Sequence, residues 1–280
     1  MKIILGDNPF FDINHNTGGS DLGFQYDIMD TVVAEYIKHK NPLVMLSDHL
    51  EFHDELFKIL NKYKGEDLSL ALLAPVPHTI NALVASGGYR ALFKNIGLKS
   101  AIIGAPGLIC HLLNLTRLSS FFYKFSIKHY IKRQLKPYLS NNINVSHFGI
   151  HNVFADMLLA SNNTSILNSF IDAVEDLGLS PIILTQNIGA FLELKGLHQC
   201  IICGSVNPLG YMMSPSKKVS ENAIKLNKYN HTIWAMQILA GGSIKLNDSL
   251  KYLNNLNLNS IVYATSKKNR IDKIFNLLRS

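Results

Sequence analysis

Short apolar runs recur along the chain, and each of them ends in polar, glycine or proline residues. Runs of this length that are apolar at successive positions are typical of parallel strands buried on both faces. The sequence therefore predicts nine candidate strands. They cover residues 2–10, 42–49, 68–78, 99–107, 145–152, 180–187, 199–210, 232–242 and 260–267.

Patterns of helical period lie between several of these runs, with capping residues at their ends. Alternation of strands with helices predicts a parallel sheet. Because so many units follow one another without a proline- or serine-rich linker, we expect a single (β/α)8 TIM-barrel domain over residues 1–280. The predicted capping residues are Asp48 or Glu51 for the helix of residues 51–64, Ser165 and Gly178 for that of 165–178, and Asn247 with Asp248 for that of 248–256.

An open, doubly wound α/β sheet is the alternative fold. Such a sheet normally carries a G-x-G-x-x-G turn after its first strand, and the sequence GDNPF at 6–10 does not match it. A barrel has eight strand positions, so one of the nine runs is in excess. The run 99–107 leads into an irregular segment, and we expect it to belong to an insertion between the third and fourth strands. We predict that this insertion forms a basic helical excursion over about residues 105–142.

The positive charge of the chain is concentrated in one region. The whole chain has 27 Lys and Arg against 20 Asp and Glu, for a net charge of +7. Residues 68–155 contain nine basic residues and no acidic one, which leaves 18 basic and 20 acidic residues elsewhere. This distribution argues against a generally basic, histone-like protein and against nucleic acid as the partner, and it indicates one electropositive region.

The composition excludes several further classes of protein. A hydrophobic fraction of 47% with 17% charged residues is enough to fill a sizeable core, which argues against disorder. Three cysteines do not make a disulfide framework, so we expect a reducing, cytoplasmic location. The first residues lack the apolar core of a signal peptide, and no window offers the ~18 uncharged apolar residues of a spanning helix.

Polar residues follow almost every predicted strand. Active sites of TIM barrels lie at the carboxyl ends of the strands, so we expect a pocket for a small polar molecule there. The residues that we expect to bind the substrate are Asp7, Asn8, His15, His78, Asn187, Asn207 and Gln237.

The adjacent Asp48 and His49 are candidates for acid–base chemistry, because a carboxylate beside an imidazole can hold its tautomer and raise its pKa. The alternative is that Asp48 only caps the helix that follows it. His151, after the fourth barrel strand, is the third candidate for proton transfer, and its alternative is a hydrogen-bonded histidine at the rim. For Asp7 and Asn8 the alternative is an Asx turn.

We expect no metal site, because no H-x-H or H-E-x-x-H pattern occurs. A divalent metal held by Asp48, His49, His78 and His151 is the less favoured alternative. Cys200 and Cys203 form a C-x-x-C pattern within a predicted strand. Side chains at positions i and i+3 of a strand face opposite sides, so we interpret both cysteines as structural.

Segment 108–139 has apolar residues at helical spacing and a basic stripe within residues 117–136. Three interpretations stay open. The segment is a helix packed on the barrel with a solvated basic face, an electrostatic wall for a small anionic substrate, or a contact surface for an anionic membrane or nucleic acid.

Two turns stand out in residues 233–275. Leu239-Ala240-Gly241-Gly242 follows the seventh barrel strand, and Ala264-Thr265-Ser266 ends the eighth, shortly before Arg270 in the last helix. This arrangement resembles the last two β/α units of the aldo-keto reductase superfamily. The resemblance implies a TIM barrel and makes NAD(P) the cofactor to consider. The residues that would bind a phosphate of the cofactor or of the substrate are Gly241, Gly242, Thr265, Ser266, Lys267 and Arg270.

The same resemblance implies an Asp and a Tyr after the second strand, a Lys at the end of the third and a His at the end of the fourth. Asp48 and His151 match two of these positions. Phe52 stands near the position of the Tyr, and the third strand has no Lys. Hydride transfer to a carbonyl needs a proton donor, so another residue would have to supply the proton.

We therefore expect an enzyme that performs acid–base chemistry on a small polar, anionic, carbohydrate-like substrate, as an isomerase, epimerase or lyase. Asp48, His49 and His151 would transfer protons. The first alternative is an NAD(P)-dependent reductase with an altered proton donor. The second is a non-catalytic barrel that binds the inner face of a membrane through residues 117–136.

Overall fold

Eight parallel strands form a closed barrel in which neighbours in space are also neighbours in sequence. The structure, a computed structural model, describes residues 1–11, 23–39, 42–49, 52–74 and 116–279. The strands are β1 (Lys2–Gly6), β2 (Leu43–Ser47), β3 (Ser69–Leu73), β4 (Val145–Ile150), β5 (Ser180–Thr185), β6 (Ile201–Ser205), β7 (Thr232–Met236) and β8 (Ser260–Tyr263).

The barrel closes where β1 pairs in parallel with β8, and the register runs from Lys2 opposite Ser260 to Leu5 opposite Tyr263. This closure confirms the predicted (β/α)8 barrel and excludes the open, doubly wound sheet. Strand β3 pairs directly with β4, so the barrel is complete without the run 99–107. That run lies outside the described residues.

Helices alternate with the strands along the chain. They are α1 (Tyr26–Tyr36), α2 (His53–Lys62), α3 (Thr116–Ser140), α4 (Asn152–Ala160), α5 (Thr164–Glu175), α6 (Ile188–Glu193), α7 (Lys217–Leu226), α8 (Leu246–Leu253) and α9 (Asn269–Arg279). Short 3-10 turns follow β1 at Asn8–Phe11 and β7 at Ala240–Gly242. The amino-terminal cap positions differ from those predicted, since Phe52, Asn163 and Lys245 precede α2, α5 and α8. Gly178, predicted to end α5, follows that helix with a φ of 74°.

The buried hydrophobic side chains form two clusters on opposite sides of the strand wall. This division follows from the alternation of side chains along a strand. Cys203 lies in the interior cluster and Cys200 in the cluster between strands and helices, and both are free thiols. The interior cluster consists of Ile4, Met45, Ala71, Leu73, Ile182, Leu184, Ile201, Cys203, Trp234 and Val262.

Helix α3 lies between β3 and β4, where the basic helical insertion was predicted. Its side chains Ile131, Leu135 and Tyr138 are buried in the cluster between strands and helices, and the helix packs along α5. A helix in this place is the crossover that joins two parallel strands. The described part of the predicted excursion is therefore one of the barrel's own helices. None of the described helices is both long and apolar enough to cross a membrane.

Candidate active site

A cavity of about 670 Å³ opens at the carboxyl ends of the barrel strands. Eight of the residues predicted to form the site line it, and six other described ones do not. The lining residues are Asp7, Asn8, His49, His151, Gln237, Gly241, Gly242 and Arg270. Those outside the lining are Asp48, Asn187, Asn207, Thr265, Ser266 and Lys267. His15 and His78 lie outside the described residues.

Asp7 is a buried carboxylate at the end of β1. The backbone N–H of Ser47, on the neighbouring strand, donates to Oδ2 of Asp7 at 2.6 Å. Burial raises the pKa of Asp7 above its ordinary value, while this hydrogen bond and the charge of His49 lower it in part. The Asp7 side chain is thus held by β2. This contact differs from the Asx turn considered from the sequence, in which the carboxylate would bond the backbone that follows it.

His49 lies close enough to Asp7 for the two charges to interact. Its ring is almost fully buried and packs against Phe11, with 4.4 Å between the ring centroids. Phe11 is itself held by the 3-10 turn that follows β1. Asp7, held by β2, and His49, packed on the turn, therefore both line the cavity and interact electrostatically.

Asp48, expected to be the partner of His49, points away from the cavity. Its Oδ1 atom accepts a hydrogen bond from the hydroxyl of Tyr138 at 2.8 Å and lies 2.7 Å from Nε2 of His53. The backbone N–H of Asp48 still donates to Leu73 as in the sheet, at 2.9 Å. Side-chain alternation thus continues past the end of β2, which turns Asp48 outward and His49 inward. The predicted catalytic role of Asp48 is not compatible with this orientation.

His151 immediately precedes α4, and its carbonyl accepts hydrogen bonds from the backbone of Phe154 and Ala155. Its side chain lines the cavity. Burial and, to a smaller extent, the charge of His49 together lower the pKa of His151 to about 4. The imidazole is therefore neutral near pH 7 and can accept a proton or donate a hydrogen bond.

The two predicted amides at the ends of β5 and β6 do not line the cavity, and that of Asn207 has a structural role. The Nδ2 atom of Asn207 donates to the carbonyl of Tyr211 at 2.8 Å, and its Oδ1 atom accepts from the backbone N–H of Tyr211 at 2.9 Å. These two hydrogen bonds fix the loop after β6. The backbone of Asn187 donates to Thr185 at 2.8 Å, and its side chain lies outside the cavity lining. The neighbouring Gln186 lines the cavity instead, and its backbone N–H donates to Asp156 at 3.1 Å.

The loop after β7 presents Gln237, Gly241 and Gly242 to the cavity. Gln237 has a positive φ of 55°, and the two glycines have φ of 69° and 94°. A positive φ is costly for a residue with a side chain, so Gln237 is a strained residue at the cavity rim. Strain of this kind is frequent at functional sites, and it follows here from the sharp turn at the strand end.

The predicted phosphate-binding group is only partly assembled. Arg270 lines the cavity, together with Gly241 and Gly242. Thr265 accepts a hydrogen bond from the backbone of Lys267 at 3.1 Å, which closes a turn before α9. Thr265 and Lys267 do not line the cavity.

Sequence reasoning missed several residues that shape the cavity. Ser205 and Tyr263 are the last residues of β6 and β8, and both line it. Methionines contribute apolar surface, with Met45 and Met236 on the strands and Met212 in a loop. Among the described residues, no group of three His, Cys, Asp or Glu side chains could hold a metal ion.

A second cavity, of about 770 Å³, opens at the amino ends of the strands. His147 lines it beside Trp234, with 5.3 Å between the ring centroids. Burial lowers the pKa of His147 to about 4, and the charge of Lys2 acts in the same direction. The two cavities are of similar size, and the chemistry of TIM barrels takes place at the carboxyl ends of the strands. The cavity that contains Asp7, His49 and His151 is therefore the candidate active site.

Comparison with solved structures supports the fold. The chain matches a Pseudomonas aeruginosa crystal structure described as "the putative aldo-keto reductase" with a TM-score of 0.59 and 10% identity, over 98% of this chain and 88% of that chain. The fold is a TIM barrel. Dispersin B matches with a TM-score of 0.50 and 8% identity, over 99% of this chain and 96% of that chain. D-psicose 3-epimerase matches with a TM-score of 0.47 and 10% identity, over 98% and 90%.

At such low identity the first two similarities show the fold alone, and the third carries no argument. One fold supports many reactions, so the chemistry has to be argued from the site. A scan against protein-family models gave no match, and a search of curated proteins gave none either.

Proposed function

We propose that this protein is an enzyme that moves protons on a small polar, anionic, carbohydrate-like molecule, as an isomerase, epimerase or lyase. One observation carries the proposal, namely that Asp7 and His49 lie together at the cavity. A carboxylate with a raised pKa can hold a proton closer to neutral pH than a free one can, which suits a general acid or base. Asp7 takes the role that the sequence assigned to Asp48.

His151 supplies a third group with a different proton affinity. Its pKa is lowered, whereas that of Asp7 is raised, so the proton affinities of the two groups move toward each other. Neither group then holds the proton much more tightly than the other, which favours transfer in both directions through a bound substrate. Removal of a proton from one carbon and its return from the other side needs two such groups.

The lining of the cavity supports the choice of substrate class. A volume of about 670 Å³ suits a small molecule. Arg270 is the one Lys or Arg side chain among the described lining residues, so a single anionic group is expected at its side of the cavity. Met45, Met236 and Val262 offer apolar contact to the carbon skeleton, while Gln186 and Gln237 offer hydrogen bonds to hydroxyl groups.

Proton exchange provides the direct test. The protein is incubated in D2O with a panel of aldoses, ketoses, their phosphates and hydroxy acids, and loss of each C–H signal is followed by 1H NMR. The proposal expects deuterium to enter at a carbon next to a carbonyl in at least one compound. Asp7→Asn, in which the amide oxygen can still accept from Ser47, is expected to slow this exchange by about 10²–10⁴-fold.

His49→Gln should have a comparable effect, and His198→Gln is its matched control. His198 is half exposed and interacts with Asp172 at 2.7 Å, away from the cavity lining. If no compound of the panel exchanges, or if Asp7→Asn and His49→Gln exchange as fast as His198→Gln does, the proposal is wrong.

An NAD(P)-dependent reductase is the second candidate function. Gly241, Gly242 and Arg270 line the cavity on the side where the sequence resemblance implies a cofactor phosphate. Tyr263 offers the phenol that is missing at Phe52, and burial raises its pKa while the charge of Arg270 lowers it. Titration with NADPH, followed by the fluorescence of the cofactor, separates the two functions. Saturable binding that Arg270→Ala weakens favours the reductase, and no binding at millimolar NADPH rejects it.

A further inference from the structure

Helix α3 has an outer face that is apolar, although it is exposed to solvent. Phe121, Phe125 and Leu139 are 54%, 51% and 58% exposed. Residues four apart share one side of a helix, and residues eighteen apart do so again after five full turns. The three side chains therefore belong to one stripe, and the rings of Phe121 and Phe125 are in contact with 4.8 Å between their centroids.

Basic side chains lie on the same outer face. Lys132, Arg133 and Lys136 are exposed on the turns between Phe125 and Leu139. Further toward the amino end, Lys124 and Lys128 both reach Asp176 at 3.1 Å. No ion pair is found for Lys132, Arg133 or Lys136 within the part of the chain that the structure describes.

The inner face of α3 is fixed on the barrel. Ile131 and Leu135 are buried between the strands and the helices, and the hydroxyl of Tyr138 donates to Asp48. These contacts alternate along the helix with the exposed positions, so the outer face keeps its orientation without any partner. A surface helix usually carries polar residues on its outer face, and exposed apolar groups flanked by charge mark a contact surface.

We propose that the outer face of α3 (Phe121, Phe125, Lys132, Arg133, Lys136 and Leu139) docks on an anionic phospholipid surface. The aromatic side chains enter the boundary between headgroups and acyl chains, and the cations contact the phosphates. A second copy of the chain fits less well, because two basic faces would repel each other. Nucleic acid would use the cations but would leave Leu139 without a partner.

None of the described residues that line the candidate active site comes from α3. The predicted electrostatic wall for the substrate is thus not found in the described part of the cavity. The docking surface and the proposed catalytic site are therefore separate, so each can be tested without the other.

Vesicle sedimentation tests the docking surface on the full chain. Vesicles of phosphatidylcholine alone are compared with an equimolar mixture of phosphatidylcholine and phosphatidylglycerol. We expect the protein to sediment with the mixed vesicles only, and less so as salt is added. Lys132→Gln with Lys136→Gln should lower the partition coefficient by about 30-fold, since each cation near an anionic surface contributes a factor of about five.

The aromatic contribution is tested by Phe121→Ala with Phe125→Ala, which should lower partitioning by about tenfold or more. Matched controls are Lys225→Gln with Lys251→Gln, two exposed lysines on α7 and α8, and Leu226→Ala, which removes a side chain that is 74% exposed. The controls should bind as the wild type does. Circular dichroism melting of every variant shows whether it is folded.

Three results would overturn the proposal. The first is no sedimentation of the folded wild type with mixed vesicles at low salt. The second is an equal loss of binding in the control variants. The third is tight binding to polyuridylic acid that depends on Lys132 and Lys136 but not on Phe121 and Phe125, with no vesicle binding, which would assign the face to RNA.

Discussion

Adding one methyl group at Gly204, on β6, should disturb the packing next to the candidate active site. A Cβ atom at Gly204 would lie 2.8 Å from Cβ of Ile188, and 3.1 and 3.2 Å from its Cδ1 and Cγ1. Ile188 is fully buried and begins α6, directly after Gln186 and Asn187. Because a Cβ atom sits next to the backbone, Ile188 cannot avoid the clash by a rotamer change, and α6 has to move.

The expected loss of stability can be worked from this clash. Overpacking a well-packed core costs about 1–3 kcal/mol. Loss of glycine's freedom in the unfolded chain recovers about 0.4–1 kcal/mol. Gly204→Ala should therefore lower the free energy of unfolding by about 1.3 kcal/mol, within a range of about 0–2.6 kcal/mol, and the central value corresponds to a fall in Tm of roughly 3–5 °C.

Thermal and urea unfolding, followed by circular dichroism, measure this change. Gly65→Ala is the matched control, since no atom lies within 4 Å of a Cβ built at Gly65. At Gly65 only the loss of backbone freedom in the unfolded chain applies, so Gly65→Ala should raise the free energy of unfolding by about 0.4–1 kcal/mol. The two substitutions are identical in chemistry and opposite in expected sign.

The same substitution links packing to the site. Movement of α6 carries the backbone of Gln186 with it, so any ligand found for the cavity should bind Gly204→Ala more weakly. If Gly204→Ala melts at or above the temperature of Gly65→Ala, the barrel wall tolerates a methyl group there and the reasoning from close packing is refuted.

Two further predictions concern buried polar groups. Tyr138→Phe removes one hydrogen bond from the buried Asp48, so it should lower the free energy of unfolding, measured in urea, by about 1–3 kcal/mol. Tyr26→Phe, at an exposed ring, is the control and should leave the free energy of unfolding unchanged. A neutral result for Tyr138→Phe would contradict this account of Asp48. Burial holds the pKa of His147 and His151 at about 4 in the folded protein, against an ordinary 6.5. As the pH falls, the unfolded chain therefore binds protons before the folded chain does, so stability should fall from about pH 6.5 down to about pH 4. An NMR titration that gives either ring a pKa near 6.5 would contradict it.

The barrel could be predicted from the sequence because its strands are buried on both faces. Such strands appear as continuous apolar runs, and eight of the nine predicted runs contain the eight strands. Helix starts were harder to predict, since polar residues near a helix are not always its caps. Asp48 precedes α2, yet its carboxylate bonds the side chains of Tyr138 and His53 and does not cap the backbone of the helix.

Side-chain alternation decided which predicted site residues reach the cavity. Met45, Ser47 and His49 are two residues apart, and all three line it, while Asp48 between them does not. The same rule favours Gln186 over Asn187 after β5. A period of two, counted from the last interior residue of each strand, would have made both corrections from sequence, provided that the strand ends were known.

The pairing of Asp7 with His49 could not be predicted, because it joins two strands through a register that only the structure gives. Ser47 donates to Asp7 across 40 positions of the chain. The role of the basic segment was also open, since a helical pattern does not show which side faces the barrel. The cytoplasmic location stays a prediction from the cysteine content.

The pairing of β1 with β8 cannot form until the ribosome has synthesised β8. Ile3 needs Ile261 as its neighbour in the sheet. At ~5–20 residues per second, the roughly 260 intervening residues take about 13–50 s to emerge. During that time β1 and the growing sheet have open edges, which are sites of aggregation until they are covered. Tyr263 and Arg270 follow Ile261 along the chain, so the candidate active site is completed only after this interval.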